Sequence, residues 1–267
     1  MSCAVKWNNA KSKTFSIPLG IKQGGINSPE FFSCYVDEII HLLRTDKIGC
    51  HTYQSFLAII LFADDMCLLA PTRSALQKMI DKTAAFCEKK GLSFNPKKSK
   101  VLVFSKGKVE MENRKQILLN GGMVEYVTSI TYLGVTLESN KGLTFSAKSE
   151  IRTFHRAANS ILSVLQKPSE EVLIELLYTN CVPIVTYACN VKSFSAGDMR
   201  DCNTAINDAI RKIFGFHRWE SIRSLRESFS KRSVYEIFAE SADKFYQSLS
   251  THRNSILRQL YALPVPL

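Results

Sequence analysis

The stretch FLAIILFADDMCLLAP, residues 56–71, is an apolar run, an acidic pair and a second apolar run closed by proline. Such a pattern reads as a buried strand, a tight turn and a returning strand. Two ionised groups at the tip of a buried hairpin are costly unless something neutralises them. Asp64 and Asp65 are therefore expected to hold a cation, and they read as half of a magnesium site. Mg2+ suits a pair of carboxylates because it completes its octahedron with water and substrate phosphates; Mn2+ is the substitute. Adjacent strand residues point to opposite faces, so one aspartate is expected to be the main ligand and the other to support it.

Working outward, the 267-residue chain is 45% hydrophobic and 10% aromatic. That is enough to bury a core in one or two domains, and it excludes a wholly disordered chain. A formal charge of +11 points to a polyanionic partner, nucleic acid before anionic membrane, with simple solubility as the plain alternative. The eight cysteines are scattered and contain no C-x-x-C pair, which argues against a zinc cluster or a disulfide framework. The N-terminus lacks the apolar core of a signal peptide, and no run approaches the ~20 apolar residues of a membrane span. The expectation is an intracellular protein, in nucleus or cytoplasm, without a membrane partner.

In chain order, CAVKW and TFSIPL around an Asn/Lys/Ser turn predict a hairpin within residues 1–20. Gly20 to Pro29 is a glycine-rich loop, able to approach a bulky ligand closely, with Lys22 and Gln23 available to it. Ser28 as N-cap and Pro29 as first helical residue open a helix with Phe32, Tyr35, Val36, Ile39, Leu42 and Leu43 at helical spacing. A tight turn before a core helix is the plain reading of the same loop. After the acidic hairpin, Ser74-x-x-Gln77 reads as a capping box and Gly91 as the residue that stops the helix. Lys97, Lys98 and Lys100 form a basic patch before the strand 101–104; a solvated turn is its default. ILLNGGMVEYV and ITYLGVTL are expected to pair as a second hairpin, with Gly134 marking a bulge or a close backbone approach.

From about residue 140 the pattern turns helical. Ile151, Phe154, Ala158, Ile161, Leu162 and Leu165 make one face; Lys148, Arg152, His155, Arg156 and Asn159 make the other. The second face can track a phosphate backbone or simply be solvated. Ser169 starts another helix, which Pro183 must kink or end. Met199, Cys202, Ile206, Ile210 and Ile213 mark a third, and one or two more lie between Val234 and Leu260. His217-Arg218-Trp219 is a basic-aromatic cluster of the kind that stacks on bases.

With these motifs in order, the chain resembles the reverse transcriptases of non-LTR (LINE-type) retrotransposons. The residues that carry the likeness are Gln23-Gly24 with Ser28-Pro29, then Phe62-Ala63-Asp64-Asp65, then Asn95 to Lys98-Ser99, then Tyr132-Leu133-Gly134. Phe62 stands where tyrosine is more frequent. The resemblance implies an α+β fold: a partial polymerase palm, an antiparallel sheet with packed helices over residues 1–139, followed by a helical thumb and post-thumb region over 140–267. It implies RNA-directed DNA synthesis with an RNA template, a DNA primer, deoxynucleoside triphosphates and Mg2+ or Mn2+. Asp64 and Asp65 would bind metal and Lys98 would approach the phosphates. Lys22, Gln23 and Gly24 would lie against the nucleotide, Tyr132, Leu133 and Gly134 would support the primer end, and Lys148, Arg152 and Arg156 would hold the duplex.

The family also has a metal-binding aspartate on an earlier strand, with fingers before it, whereas no acidic residue here precedes Glu30. Asp37 and Glu38 fall on the helix after the glycine loop and are expected to face outward. The expectation is a fragment of a polymerase, inactive as this chain alone, in the order of a truncated element or partial gene. The alternative is a non-catalytic remnant or a domesticated nucleic-acid-binding protein. Another palm nucleotidyltransferase such as a cyclase is disfavoured, because Tyr132-Leu133-Gly134 and a basic thumb would have no use there.

Overall fold

A computed structural model describes residues 2–17, 20–22, 24–52, 55–105, 115–140, 142–144, 147–164, 168–192 and 194–261. By its internal contacts the chain divides into two compact units, Met1–Val101 with Asn113–Glu125, and Leu102–Glu112 with Tyr126–Leu267.

The first unit opens on β1 (Ser2–Cys3), β2 (Lys6–Trp7), β3 (Ala10–Lys11) and β4 (Phe15–Ser16). β1 pairs with β4 as expected, and β2 with β3 makes a smaller hairpin inside it. α1 (Ser28–Val36) and α2 (Glu38–Asp46) follow. Ser28 is not the N-cap: the helix starts at Ser28 itself, and the preceding Asn27 makes no capping bond. The Ser28 hydroxyl instead donates to the Lys22 carbonyl at 2.7 Å, which closes the glycine loop on itself. Val36, Ile39 and Leu43 are buried, whereas Tyr35 and Leu42 lie on the open side. Asp37 and Glu38 do face outward, with Glu38 paired to Lys90 at 2.9 Å.

β5 (Cys50–Thr52) and β6 (Ser55–Leu57) form a hairpin, and β7 (Ile59–Phe62) and β8 (Asp65–Leu68) form the acidic one. Gly49 (φ +153°) packs so closely that a Cβ there would lie 2.5 Å from that of Ala58. α3 (Arg73–Lys89) lies across them, and Ile39, Leu43, Ala58 and Met79 form the core they share. The expected capping box at Ser74 and Gln77 is not formed. The chain is still extended at Thr72, one residue past Pro71, so Thr72 caps the helix by accepting from the Ala75 N–H at 3.2 Å. Gln77 is thereby free to pin the helix to β10 (Ile117–Leu119). Its amide donates to the Leu118 carbonyl at 2.8 Å and accepts from the Leu118 N–H at 2.9 Å, as a ladder partner would. Gly91 (φ +70°) ends the helix as expected. β9 (Lys100–Leu102), β10 and β11 (Gly122–Val127) make a three-stranded sheet with β11 in the middle.

Residues 117–137 do not form one hairpin. ILLNGGMVEYV is a complete hairpin by itself, β10 turning into β11 through Asn120 (φ +48°) and Gly121 (φ +76°). ITYLGVTL is another, β12 (Ser129–Tyr132) turning into β13 (Val135–Asn140) through Leu133 (φ +49°) and Gly134 (φ +74°). Two left-handed residues at the centre define the tight turn whose twist matches that of the strands. Gly134 is thus a turn residue, not a bulge. β14 (Gly142–Thr144) adds a third strand to β13.

The rest of the second unit is helical: α4 (Lys148–Val164), α5 (Glu170–Leu176), α6 (Val182–Thr186), α7 (Ala196–Phe214), α8 (Arg223–Ser228), α9 (Val234–Ser250) and α10 (Ser255–Tyr261). Pro183 leaves a readable mark. A prolyl ring clashes with the carbonyl four residues back, and the chain widens into a π turn at Leu177–Cys181 just before it. Phe154, Ala158, Cys181, Val185, Cys202, Ile206 and Ile210 build the core, in agreement with the periodicities of α4 and α7; Leu165 lies outside the described residues. All eight cysteines are free thiols. The mixture of helix and strand is as expected, but the described strands form six small sheets in place of one continuous palm sheet.

Candidate active site

β7 and β8 are built to display their tip. Ile59 pairs with Leu68 and Leu61 with Met66, and these four side chains pack against the core. By the strand period of two, Ile60, Phe62, Asp65 and Cys67 lie on the opposite face, where Ile60 pairs with Cys67 and Phe62 with Asp65. Phe62 is 61% exposed. The two-residue turn consists of Ala63, in the left-handed region (φ +50°), and Asp64. A non-glycine residue with this φ is uncommon, and here it holds an aspartate at the outermost point of the hairpin.

The expectation of a buried acidic tip is overturned. Asp64 and Asp65 are both exposed, so desolvation creates no demand for a counter-ion. The alternating face explains this: the hairpin spends one side on the core and carries its acids on the turn and the other side. Two adjacent carboxylates suit a hard cation that takes its remaining ligands from water and phosphate. Among the described residues, no group of three or more His, Cys, Asp or Glu side chains could hold a metal. The pair fits part of a coordination shell and does not complete one.

Lys98 sits on a loop shaped by Asn95. The Asn95 side chain accepts from the Lys97 N–H at 3.0 Å, and its carbonyl accepts from the Lys98 and Ser99 N–H groups at 3.1 Å. Pro96 wedges against Gly122, where a Cβ would come within 2.8 Å. Lys100 is spent on Glu125. Lys98 is exposed, and among the described residues it forms no ion pair. Lys22 and Gly24 sit in the loop that Ser28 closes; the expected Gln23 lies outside the described residues. No hydrogen bond or ion pair joins Lys22 or Lys98 to the acidic tip among the described residues.

In the second unit, the Leu133–Gly134 turn is held by a residue the sequence did not single out. Tyr187, just past α6, donates its hydroxyl to the Leu133 carbonyl at 2.8 Å. A Cβ on Gly134 would stand 3.1 Å from the Tyr187 ring. The close approach expected at Gly134 is therefore to a side chain. Lys192 lies over the same ring, 5.8 Å from its centroid, and pairs with Glu150 at 3.0 Å, its side chain only 3% exposed. Burial alone would raise the Glu150 carboxyl; the bonds from Lys192, its own backbone N–H and Ser149 outweigh that and hold it below the ordinary value. Lys148, Arg152 and Arg156 are exposed along α4, as expected of either a backbone-tracking or a solvated face.

Comparison with known proteins bears on these positions. Residues 2–137 match the family described as reverse transcriptase (RNA-dependent DNA polymerase). The chain is 25% identical over 201 residues to a retrovirus-related Pol polyprotein from type-1 retrotransposable element R2 of Popillia japonica, covering 73% of this chain and 32% of that protein. It is 22% identical over 268 residues to the RNA-directed DNA polymerase from mobile element jockey of Drosophila funebris, covering 96% of this chain and 28% of that one. A shorter match, 36% over 87 residues, joins it to the Pol polyprotein from type-2 retrotransposable element R2DM of Drosophila melanogaster, covering 33% and 8%. The chain spans about a third of the length of the first two relatives. Among the described residues no helix is long and apolar enough to cross a membrane. The acidic hairpin lies inside the matched segment, and the chain belongs to the reverse transcriptase family, in its non-LTR (LINE-type) retrotransposon branch.

Proposed function

We propose that the chain carries part of the catalytic palm of an RNA-directed DNA polymerase, with Asp64 and Asp65 as the carboxylates that hold Mg2+ or Mn2+. The observation that supports this is the acidic hairpin: one face docked on the core, both aspartates open to a ligand at its tip. The cation, when bound, offsets charge on the attacking and departing oxygens of a nucleotidyl transfer. The rest falls to the chain. Lys98, rigidly based on its Asn95 turn, meets the triphosphate as a point charge. Lys22 and Gly24 border the nucleotide from the closed glycine loop, with Gln23 beside them. Tyr132, Leu133 and Gly134 support the primer end, and Lys148, Arg152 and Arg156 position the RNA–DNA duplex through its phosphates.

The 267-residue polypeptide alone polymerises little or nothing in this reading, because two carboxylates leave a two-metal site incomplete. The absence of a third metal ligand among the described residues also favours a second reading, a nucleic-acid binder without catalysis. Primer extension on an RNA template separates them from an active enzyme. Extension above background, abolished by Asp64→Ala, would overturn the inactivity. The palm reading is tested by Mn2+-dependent binding of a deoxynucleoside triphosphate. It is expected for the parent chain and lost in Asp64→Ala; equal binding by both would sink it.

A further inference from the structure

Two adjoining features of the second unit have no part in the polymerase reading. The first is a cavity of about 450 Å³ bordered by α7, α8 and the start of α9. Four cationic side chains line it, Arg211, Arg223, Arg226 and Lys231, against Glu227 and Glu236. Most of these charges are already engaged. Arg211 donates to Asp208 at 2.8 Å and to the Glu220 carbonyl at 3.0 Å, and Arg223 donates to Glu227 at 2.9 Å. Lys231 pairs with Glu175, and Glu236 accepts from Ser233 at 2.6 Å. Arg226 is half-buried; among the described residues its guanidinium makes no hydrogen bond or close ion pair, and its charge acts on Glu236 and Tyr178 only through space. The Asn207 side-chain oxygen, on the same wall, is buried with no partner among the described residues. A guanidinium with no hydrogen-bonded partner at the edge of a cavity complements an anionic group such as a phosphodiester.

The second feature is the loop that Gly215 (φ +69°) starts at the end of α7. On it the rings of His217 and Trp219 stack 4.8 Å apart at an interplanar angle of 4°. Trp219 is 82% exposed, so packing does not account for it. The loop is tied to the cavity wall. The His217 N–H donates to the Glu220 carboxylate, the Glu220 carbonyl accepts from Arg211, and Ser221 lines the cavity. A flat aromatic platform is thus fixed two residues from the rim of a basic cavity.

We propose that platform and cavity together are an anchoring site for single-stranded nucleic acid. One base stacks on Trp219 and the neighbouring phosphodiester meets Arg226. Stacking platforms beside basic grooves bind single strands with little regard to sequence. A free anion would use Arg226 and leave the tryptophan idle. The site shares no residue with the Asp64–Asp65 hairpin, so either can fail without the other.

The test measures binding of the full chain to fluorescein-labelled decamers of oligouridylate and oligodeoxythymidylate at one salt concentration. Trp219→Ala is expected to weaken both by about tenfold, within the range of one lost base stack, and Trp219→Phe to keep most of the affinity. Arg226→Gln is expected to weaken both as well, with Arg226→Lys recovering part; circular dichroism checks that these variants are folded. In a Trp7→Phe background, oligonucleotide is expected to quench the remaining tryptophan. Parent-like affinity in both Trp219→Ala and Arg226→Gln overturns the site, as does a Trp219 emission that saturating oligonucleotide leaves unchanged. Displacement of the oligonucleotide by equimolar inorganic phosphate also overturns it, in favour of a simple anion pocket.

Discussion

Gly134 shows how one residue is fixed twice. Its φ of +74° is a region that side chains tolerate poorly, and its missing Cβ leaves room for the Tyr187 ring. Gly134→Ala is therefore expected to destabilise the second unit by about 1–2 kcal/mol, and Tyr187→Phe, which loses the bond to the Leu133 carbonyl, by about 1 kcal/mol. Urea denaturation of both variants checks the pair; an unchanged midpoint for Gly134→Ala would show that the turn is not held as described. The need for glycine at position 134 was legible in the sequence, but its cause was not. A strand interior and a two-residue turn look alike until pairing is known. The Asn120-Gly121 dipeptide, among the strongest short hairpin signals, held the answer, since a hairpin turning there leaves 129–137 to fold back on itself. The acidic tip shows the opposite error. Eight apolar residues before Asp64 implied burial, yet the alternation of β7 turns Ile60 and Phe62 outward beside the tip.

At the scale of elements, α4 is held to the segment after α6 by the Glu150–Lys192 pair. Removing one partner of a buried pair leaves the other uncompensated, and Glu150→Ala is expected to cost about 3 kcal/mol of stability. The same pair gives a pH dependence with a definite sign. The folded Glu150 carboxyl titrates below its ordinary value, so its contribution is complete above the unfolded value and is lost as pH falls through the folded one. Asp198, held low first by the Ser195 hydroxyl in the cap of α7, acts in the same direction. Thermal unfolding followed from neutral to acid pH should show the melting temperature falling, and Glu150→Gln should flatten that limb. A limb as steep in the variant as in the parent would place the acid sensitivity elsewhere. Helical periodicity predicted α4 and α7 well, because each buries one clean apolar stripe. Gln77 was misread because a capping-box spacing says nothing about a strand 41 residues later that offers its N–H and C=O.

For the molecule as a whole, the formal charge of +11 sets how binding answers to salt. Lysine and arginine that neutralise phosphates release condensed counterions, and each removed contact lowers the slope of log affinity against log salt by roughly 0.9 on a duplex. If Lys148, Arg152 and Arg156 track a primer–template, their triple substitution by glutamine should weaken binding and flatten that slope by between two and three. A solvated face predicts something else. The same three residues would then change affinity only through the chain's general charge, as three glutamines at Lys6, Lys11 and Lys13 would. Those lysines are exposed on the N-terminal hairpins and serve as the matched control. Anisotropy of a labelled RNA–DNA duplex over 50–300 mM salt decides the matter. A clearly larger loss of slope in the α4 variant than in the control assigns the duplex to that helix, and equal losses remove α4 from the binding surface while leaving the acidic hairpin untouched.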